Sequence, residues 1–296
     1  MTRLLGAFDA PEPSAAVVDD LVGRALAEDA AQDDRSTLPL PGRAARRRGE
    51  VVARETGVLA GTAPFRRAFE LLAGNDAVDV RGLADGARFA AGDVVLRVEA
   101  PVRVLLGGER TALNFLQRLS GIATLTRRCV DAAGGKVAVC DTRKTTPGLR
   151  ALEKRAVVVG GGTSHRAGLR DMVLLKENHL EVAGGVAAAI RAVRADPRSA
   201  KLPLTVEVRS FEEAMEAARH GPDRLLLDNM PPAEMRRVAD ALGPPGDRPE
   251  LEASGGIGPE DLPRLAEVGV DLVSLGALTH SARAVDFSFL VVPIAP

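Results

Sequence analysis

At 296 residues, with 46% hydrophobic and 27% charged positions, the chain has the composition of a globular protein with room for a large domain and a smaller one. A formal net charge of -1 argues against coating nucleic acid or a membrane by bulk charge. With no Trp, no Tyr and eight Phe, neither a base-stacking platform nor an aromatic cage is expected.

The spacing predicts an amphipathic helix over residues 13–30, entered through Pro13 and Ser14. Residues 31–48 are polar and end in A-A-R-R-R, which reads as a solvated loop. Short strands are expected at Glu50–Arg54, Ala77–Arg81 and Val94–Glu99, with a helix at Pro64–Leu72. That irregular mixture makes residues 1–115 an α+β, sandwich-like domain. A long helix follows over 103–130. Cys129 and Cys140 fit no zinc or redox spacing, and Cys140 reads as a core residue.

Beyond this helix, apolar runs recur at Val137–Cys140, Met172–Leu175, Leu204–Val208, Leu225–Leu227, Leu251–Ser254 and Leu272–Leu275. Helical segments at about 149–158, 180–195, 211–219, 232–242 and 259–268 fill the gaps, so the strands should be parallel. Charged or glycine residues stand at or near the end of each run: Asp141, Lys176 with Glu177, Glu207, Asp228, Ser254-Gly255-Gly256 and Gly276. In a β/α barrel the active site gathers at the carboxyl ends of the strands. The fold class expected is therefore α/β, an irregular open barrel with fewer than eight strands over 116–286. A carboxyl-terminal strand, 287–296, should return to the smaller domain. No charged-then-apolar leader opens the chain, and no apolar run approaches the ~20 residues of a membrane span, so a cytoplasmic location is expected.

The chemistry concentrates in Asp141–His179. Arg143, Lys144, Arg150, Lys154, Arg155, His165, Arg166, Arg170 and Lys176 crowd there around a triple glycine. A local cationic cluster in a nearly neutral chain points to a small polyanion. Ser254-Gly255-Gly256 leads from a strand into a helix, where backbone N–H groups can cradle a phosphate. Glu207 and Asp228, on neighbouring strands, suit a Mg²⁺ that keeps most of its waters, a ribose, or a carbocation-like sugar. The histidines show no metal-ligand spacing and the serines no nucleophile elbow. Sugar-phosphate isomerase, aldolase (with Lys144, Lys154 or Lys176 as Schiff base) and phosphoribosyl transfer all fit these residues.

Several strings go further: E-R-T-A-L-N-F-L-Q-R-L-S-G-I-A-T-L-T (109–126), D-T-R-K-T-T-P-G-L-R (141–150), L-K-E-N-H (175–179), L-L-L-D-N-M (225–230), L-E-A-S-G-G-I (251–257) and S-L-G-A-L-T-H-S (274–281). Together they resemble the quinolinate phosphoribosyltransferase family. The resemblance implies transfer of phosphoribosyl from phosphoribosyl pyrophosphate (PRPP) to quinolinate with decarboxylation, Mg²⁺ as cofactor, and a homodimer or higher assembly of dimers. It places Arg110, Arg143, Lys144, His165, Arg166 and Lys176 around quinolinate, with Arg110 from the partner subunit. It places Lys144, Lys176, Glu207, Asp228, Ser254, Gly255, Gly256, Gly276 and His280 around PRPP, with Glu207 and Asp228 on the metal and Lys144, Glu207 and Asp228 catalytic. The chain departs from the family's pattern at Arg155, Ser164 and Glu177; of these, Ser164 is expected nearest the substrate. The rivals are a barrel phosphoribosyltransferase for nicotinate or another heteroaromatic acid, and a catalytically silent phosphate-ligand sensor.

Overall fold

The computed structural model describes residues 10–294. Residues 1–9 and 295–296, where the expectations about a leader and about the end of the last strand fall, lie outside the described residues. In chain order the elements begin α1 (Ala15–Glu28), β1 (Arg46–Ala53), β2 (Gly57–Val58), α2 (Thr62–Ala73), β3 (Asp79–Gly82), β4 (Arg88–Phe89), β5 (Val94–Pro101) and α3 (Val102–Ala133). They continue β6 (Ala138–Cys140), α4 (Arg150–Val159), β7 (Val173–Leu175), α5 (Glu177–Ala183), α6 (Val186–Ala195), β8 (Leu204–Val208) and α7 (Phe211–Ala218). Last come β9 (Arg224–Asp228), α8 (Pro232–Leu242), β10 (Glu250–Ser254), α9 (Leu262–Leu265), β11 (Leu272–Ser274), α10 (Ala277–His280) and β12 (Phe287–Val292). The chain divides into two units. One holds Pro11–Leu125, Thr146–Gly160 and the chain from Ala282 onward; the other holds Thr126–Thr145 and Gly161–Ser281.

The first unit is built on an antiparallel sheet of order β12-β1-β5-β3. Burial alternates along the second half of β1, with Gly49, Val51 and Ala53 inward, as expected where one face is covered. Phe289 of β12 stacks on Phe69 of α2 with ring centroids 5.9 Å apart, which ties the carboxyl-terminal strand into this core. Helix α1 starts where the sequence places it, with Ser14 Oγ accepting the Val17 N–H. The A-A-R-R-R run corrects the loop expectation, because Arg46–Arg48 open β1. Across the sheet Arg48 meets Glu99 at 2.7 Å, and Arg46 donates to the carbonyls of Ala77 and Glu99. In α3, Gly121 is a packing requirement: a Cβ there would lie 2.1 Å from the Arg283 carbonyl oxygen.

The second unit carries a parallel six-stranded sheet of order β6-β11-β10-β9-β8-β7. The strands follow chain order around the sheet, β6 lies beside β11, and β6 and β7 are its two end strands, β6 taking a single parallel bridge from Thr163 on its outer side. A doubly wound sheet would reverse direction midway; a single circuit is an open barrel. Inward positions are level across strands: Glu207 registers with Leu226, and Leu226 with Glu252. The next level pairs Asp228 with Ser254.

Two helices differ from expectation. The segment 180–195 is broken into α5 and α6 by Gly184 and Gly185, both at positive φ. The segment 259–268 is a 3₁₀ turn, Pro259–Asp261, followed by the four-residue α9.

Candidate active site

A cavity of about 710 Å³ opens at the carboxyl ends of the parallel strands in the second unit. Strand β6 leads to Thr142, Arg143 and Lys144, and β7 to Lys176. Strand β8 supplies Glu207, and β9 Asp228. Strand β10 supplies Glu252 and Ser254, and β11 Ser274 and then Gly276. His165, Arg166, Gly255, Gly256 and His280 complete the wall among the positions expected from sequence. The fold thus brings together every sequence-predicted site residue except Arg110. Arg110 lies on α3 and lines a separate cavity of the first unit together with Asn114 and Arg118.

The cationic side is built on the loops after β6 and β7. Lys144 is held by its backbone: its N–H donates to Thr142 Oγ1 at 3.1 Å, and its carbonyl accepts from Thr279 Oγ1 at 2.8 Å. Gly276 leaves the space its side chain needs, since a Cβ there would stand 2.9 Å from Lys144 Cδ and 3.0 Å from the His280 ring. Arg166 is buried and donates to the Met172 carbonyl at 3.1 Å. Burial, and then the neighbouring charge of Arg143, shift its pKa below the ordinary guanidinium value. Arg143 keeps a buried Nε with no hydrogen-bond partner. Two guanidinium groups crowded this way, one with an orphan donor, fit a ligand that brings negative charge.

His165 plays a different part from that of a free cation. Its Nδ1 accepts the Arg166 backbone N–H at 2.8 Å, and its Nε2 lies 3.4 Å from Glu252 Oε2. This pattern assigns the Nε2–H tautomer and leaves both ring nitrogens occupied within the protein. Asp141, buried at the end of β6, accepts the His165 N–H at 2.8 Å and fixes the loop. Ser164 lies behind the wall, its Oγ donating to the His165 carbonyl at 3.1 Å. The departure expected nearest the substrate is therefore a loop bracket.

Glu252 was not singled out from sequence. It is buried at 1% exposure, between His165 and Arg224 Nη1 at 3.1 Å. Burial pushes its carboxyl up, but His165, Arg224 and Ser274 outweigh that and hold it well below the usual carboxylate range. Its signal in the sequence was a lone acid inside the apolar strand L-E-A-S.

On the carboxylate side, Glu207 Oε2 pairs with Lys176 Nζ at 2.8 Å, and Asp228 Oδ2 accepts from Asn229 at 2.9 Å. Arg209, also missed from sequence, stands 3.8 Å from Glu207 Oε1 and 3.8 Å from Asp228 Oδ2. Among the described residues no three His, Cys, Asp or Glu side chains form a metal cage. Two carboxylates that already draw cations suit a Mg²⁺ whose other ligands are phosphate oxygens and water. The glycine loop is shaped by Gly255 and Gly256 at φ +104° and +60°. A Cβ on Gly255 would fall 2.2 Å from Asn229 Oδ1. Because only a 3₁₀ turn and a four-residue helix follow, the N–H groups this segment can offer an anion belong mainly to the loop, and little helix dipole stands behind them.

No helix of the described residues is long and apolar enough to cross a membrane. Family models for the amino- and carboxyl-terminal domains of quinolinate phosphoribosyl transferase match residues 34–120 and 122–290. The chain is 42% identical over 242 residues to a probable carboxylating nicotinate-nucleotide pyrophosphorylase of Bacillus subtilis, covering 81% of each chain. It is 42% identical over 241 residues to the human carboxylating nicotinate-nucleotide pyrophosphorylase, covering 80% of this chain and 79% of that one. Among solved structures, NadC from Streptococcus pyogenes superposes with a TM-score of 0.89 at 39% identity, covering 96% of this chain and 100% of that one.

Proposed function

The chain belongs to the quinolinate phosphoribosyl transferase family, and we propose how its own side chains carry that family's reaction. The enzyme transfers phosphoribosyl from PRPP to the ring nitrogen of quinolinate with decarboxylation. The products are nicotinate mononucleotide, pyrophosphate and CO₂, a step of NAD biosynthesis.

The observation that carries the site reading is the crowding of Arg143, Lys144, Arg166 and Lys176 on one wall of a cavity whose opposite wall presents Glu207 and Asp228. Quinolinate is a dianion, so several fixed cations can be matched by its two carboxylates, and guanidinium groups match carboxylates bidentately. In this reading Arg143 and Arg166 grip the ring carboxylates, and Lys144 and Lys176 orient them. His165 shapes the pocket through its ring while Glu252 holds its tautomer. Arg110, remote in sequence from this loop set, would enter from the partner subunit of a homodimer or of a higher assembly of dimers.

PRPP lies on the other side. Ser254, Gly255, Gly256, Gly276 and His280 receive its 5′-phosphate, and Glu207 and Asp228 face its ribose and hold Mg²⁺. When bound, Mg²⁺ neutralises pyrophosphate charge and aids its departure. As the pyridine nitrogen attacks C1 of the ribose, positive charge builds on the sugar, and the Glu207 and Asp228 carboxylates stabilise it. With the nitrogen alkylated, its positive charge stabilises the electron pair left at C2 when the adjacent carboxylate departs as CO₂, and a proton taken up at C2 from solvent completes nicotinate mononucleotide. Lys176 touches Glu207 and would also touch quinolinate, so it is where the two substrate sites meet. The two cysteines are free and buried, which supports a reducing, cytoplasmic compartment.

Arg143→Ala tests the assignment. Its KM for quinolinate should rise on the order of a hundredfold while that for PRPP changes little; equal changes in both would contradict the role. Light scattering of the purified protein should give no monomer mass, and a stable, active monomer would refute the contribution of Arg110 across subunits.

A further inference from the structure

The loop after β8 carries Arg209, which no step described so far uses. Its side chain is half exposed, and its guanidinium forms an ion pair with Glu177 at the start of α5. From that anchored position Nη2 stands 3.8 Å from Glu207 Oε1, and Nε stands 3.8 Å from Asp228 Oδ2. The other oxygen of Glu207 is already held by Lys176 at 2.8 Å.

Two carboxylates facing one cavity repel each other, and any cation near both relieves that repulsion. Arg209 does so without hydrogen bonds, since 3.8 Å is too long for one; its hold on the pair is Coulombic. A divalent ion needs the same oxygens. We propose that Arg209 is a resident counter-ion of the Glu207–Asp228 pair that competes with the divalent cation and raises the metal concentration needed to load the site. The inference rests on the reading of Glu207 and Asp228 as Mg²⁺ ligands. Glu177 is the latch: its ion pair keeps the guanidinium beside the carboxylates. Because no hydrogen bond to Glu207 or Asp228 must break, an arriving metal displaces Arg209 by charge alone. The competition is exposed to solvent and weakens with salt.

The test titrates Mn²⁺ into the full-length protein with PRPP and without quinolinate, reading free Mn²⁺ by electron paramagnetic resonance against a PRPP-only reference. Arg209→Met keeps the stem and removes the charge. It should bind Mn²⁺ more tightly than wild type, on the order of tenfold at low salt, with the gap closing toward ~1 M salt. Arg209→Lys, which keeps the charge, should stay near wild type. Unchanged affinity in Arg209→Met would overturn the inference. Weaker binding would also overturn it, by making Arg209 a ligand of the PRPP phosphates. Wild type binding no Mn²⁺ beyond the PRPP reference would instead sink the metal reading of Glu207 and Asp228, and the inference with it.

Discussion

In the antiparallel unit charged side chains mostly pair across the outward face of the sheet, between its inner strands β1 and β5, Arg97 with Glu50 at 3.0 Å and Arg48 with Glu99 at 2.7 Å. Its fully buried acid, Glu153, is saturated by Arg118 at 2.9 Å and by both the N–H and the hydroxyl of Thr146. In the parallel unit the charges turn inward to line a cavity, and some stay unsatisfied: Arg143 Nε and Glu252 Oε1 are buried without a hydrogen-bond partner. The same residue types therefore do two jobs. Where every donor meets an acceptor inside the chain, the charge holds structure. Where a donor facing the cavity is left over, as Arg143 Nε is, a ligand that brings acceptors would satisfy it, and the ligand-free site bears some cost in stability.

That contrast is open to attack by mutation. The largest effect should come from Asp228→Asn, which removes charge from the site and leaves shape intact. Its kcat should fall on the order of 10²–10³-fold, with the melting midpoint within ~2 °C of wild type. A large stability loss with kcat preserved would make Asp228 structural. Glu153→Ala should do the opposite, losing about 3 kcal/mol in denaturant titration because Arg118 and Thr146 lose their buried acceptor. Its KM values should stay near wild type. Smallest of all, Arg97→Ala breaks an exposed pair and should shift stability by less than ~1 kcal/mol with unaltered kinetics. A kinetic defect there would show that these outward-facing charges also serve the reaction.

The parallel unit was the more legible of the two. Its strands are buried on both faces, so each stands out as a short apolar run, and a charge at its end is conspicuous: Lys176 after β7 and Asp228 closing β9 are cases in point. Glu252 escaped notice because it sits within its strand, and only register shows that it shares a level with Leu226, opposite Glu207. Arg209 escaped because nothing local ties it to Glu177 and Asp228; the side-by-side order of β7, β8 and β9 brings the three together. Glu177 read as a remote departure from the family pattern, yet through Arg209 it reaches the carboxylate pair. In the antiparallel unit, β2 and β4 are two residues each and owe their pairing to tertiary contact, so no periodicity could announce them. Arg46–Arg48 looked like loop because strand propensity counted for less than the cross-strand partner Glu99.

The central claim is that the cations lining the cavity of the parallel unit, Arg143, Lys144, Arg166 and Lys176, are matched to a dianionic ring. The most direct measurement offers quinolinate and nicotinate in parallel to the purified enzyme with PRPP and Mg²⁺, following nicotinate mononucleotide and CO₂ together. Turnover of quinolinate with one CO₂ per mononucleotide, and none of nicotinate, is the predicted result. Comparable turnover of nicotinate would contradict the claim, because a mono-acid would then suffice to satisfy the cluster.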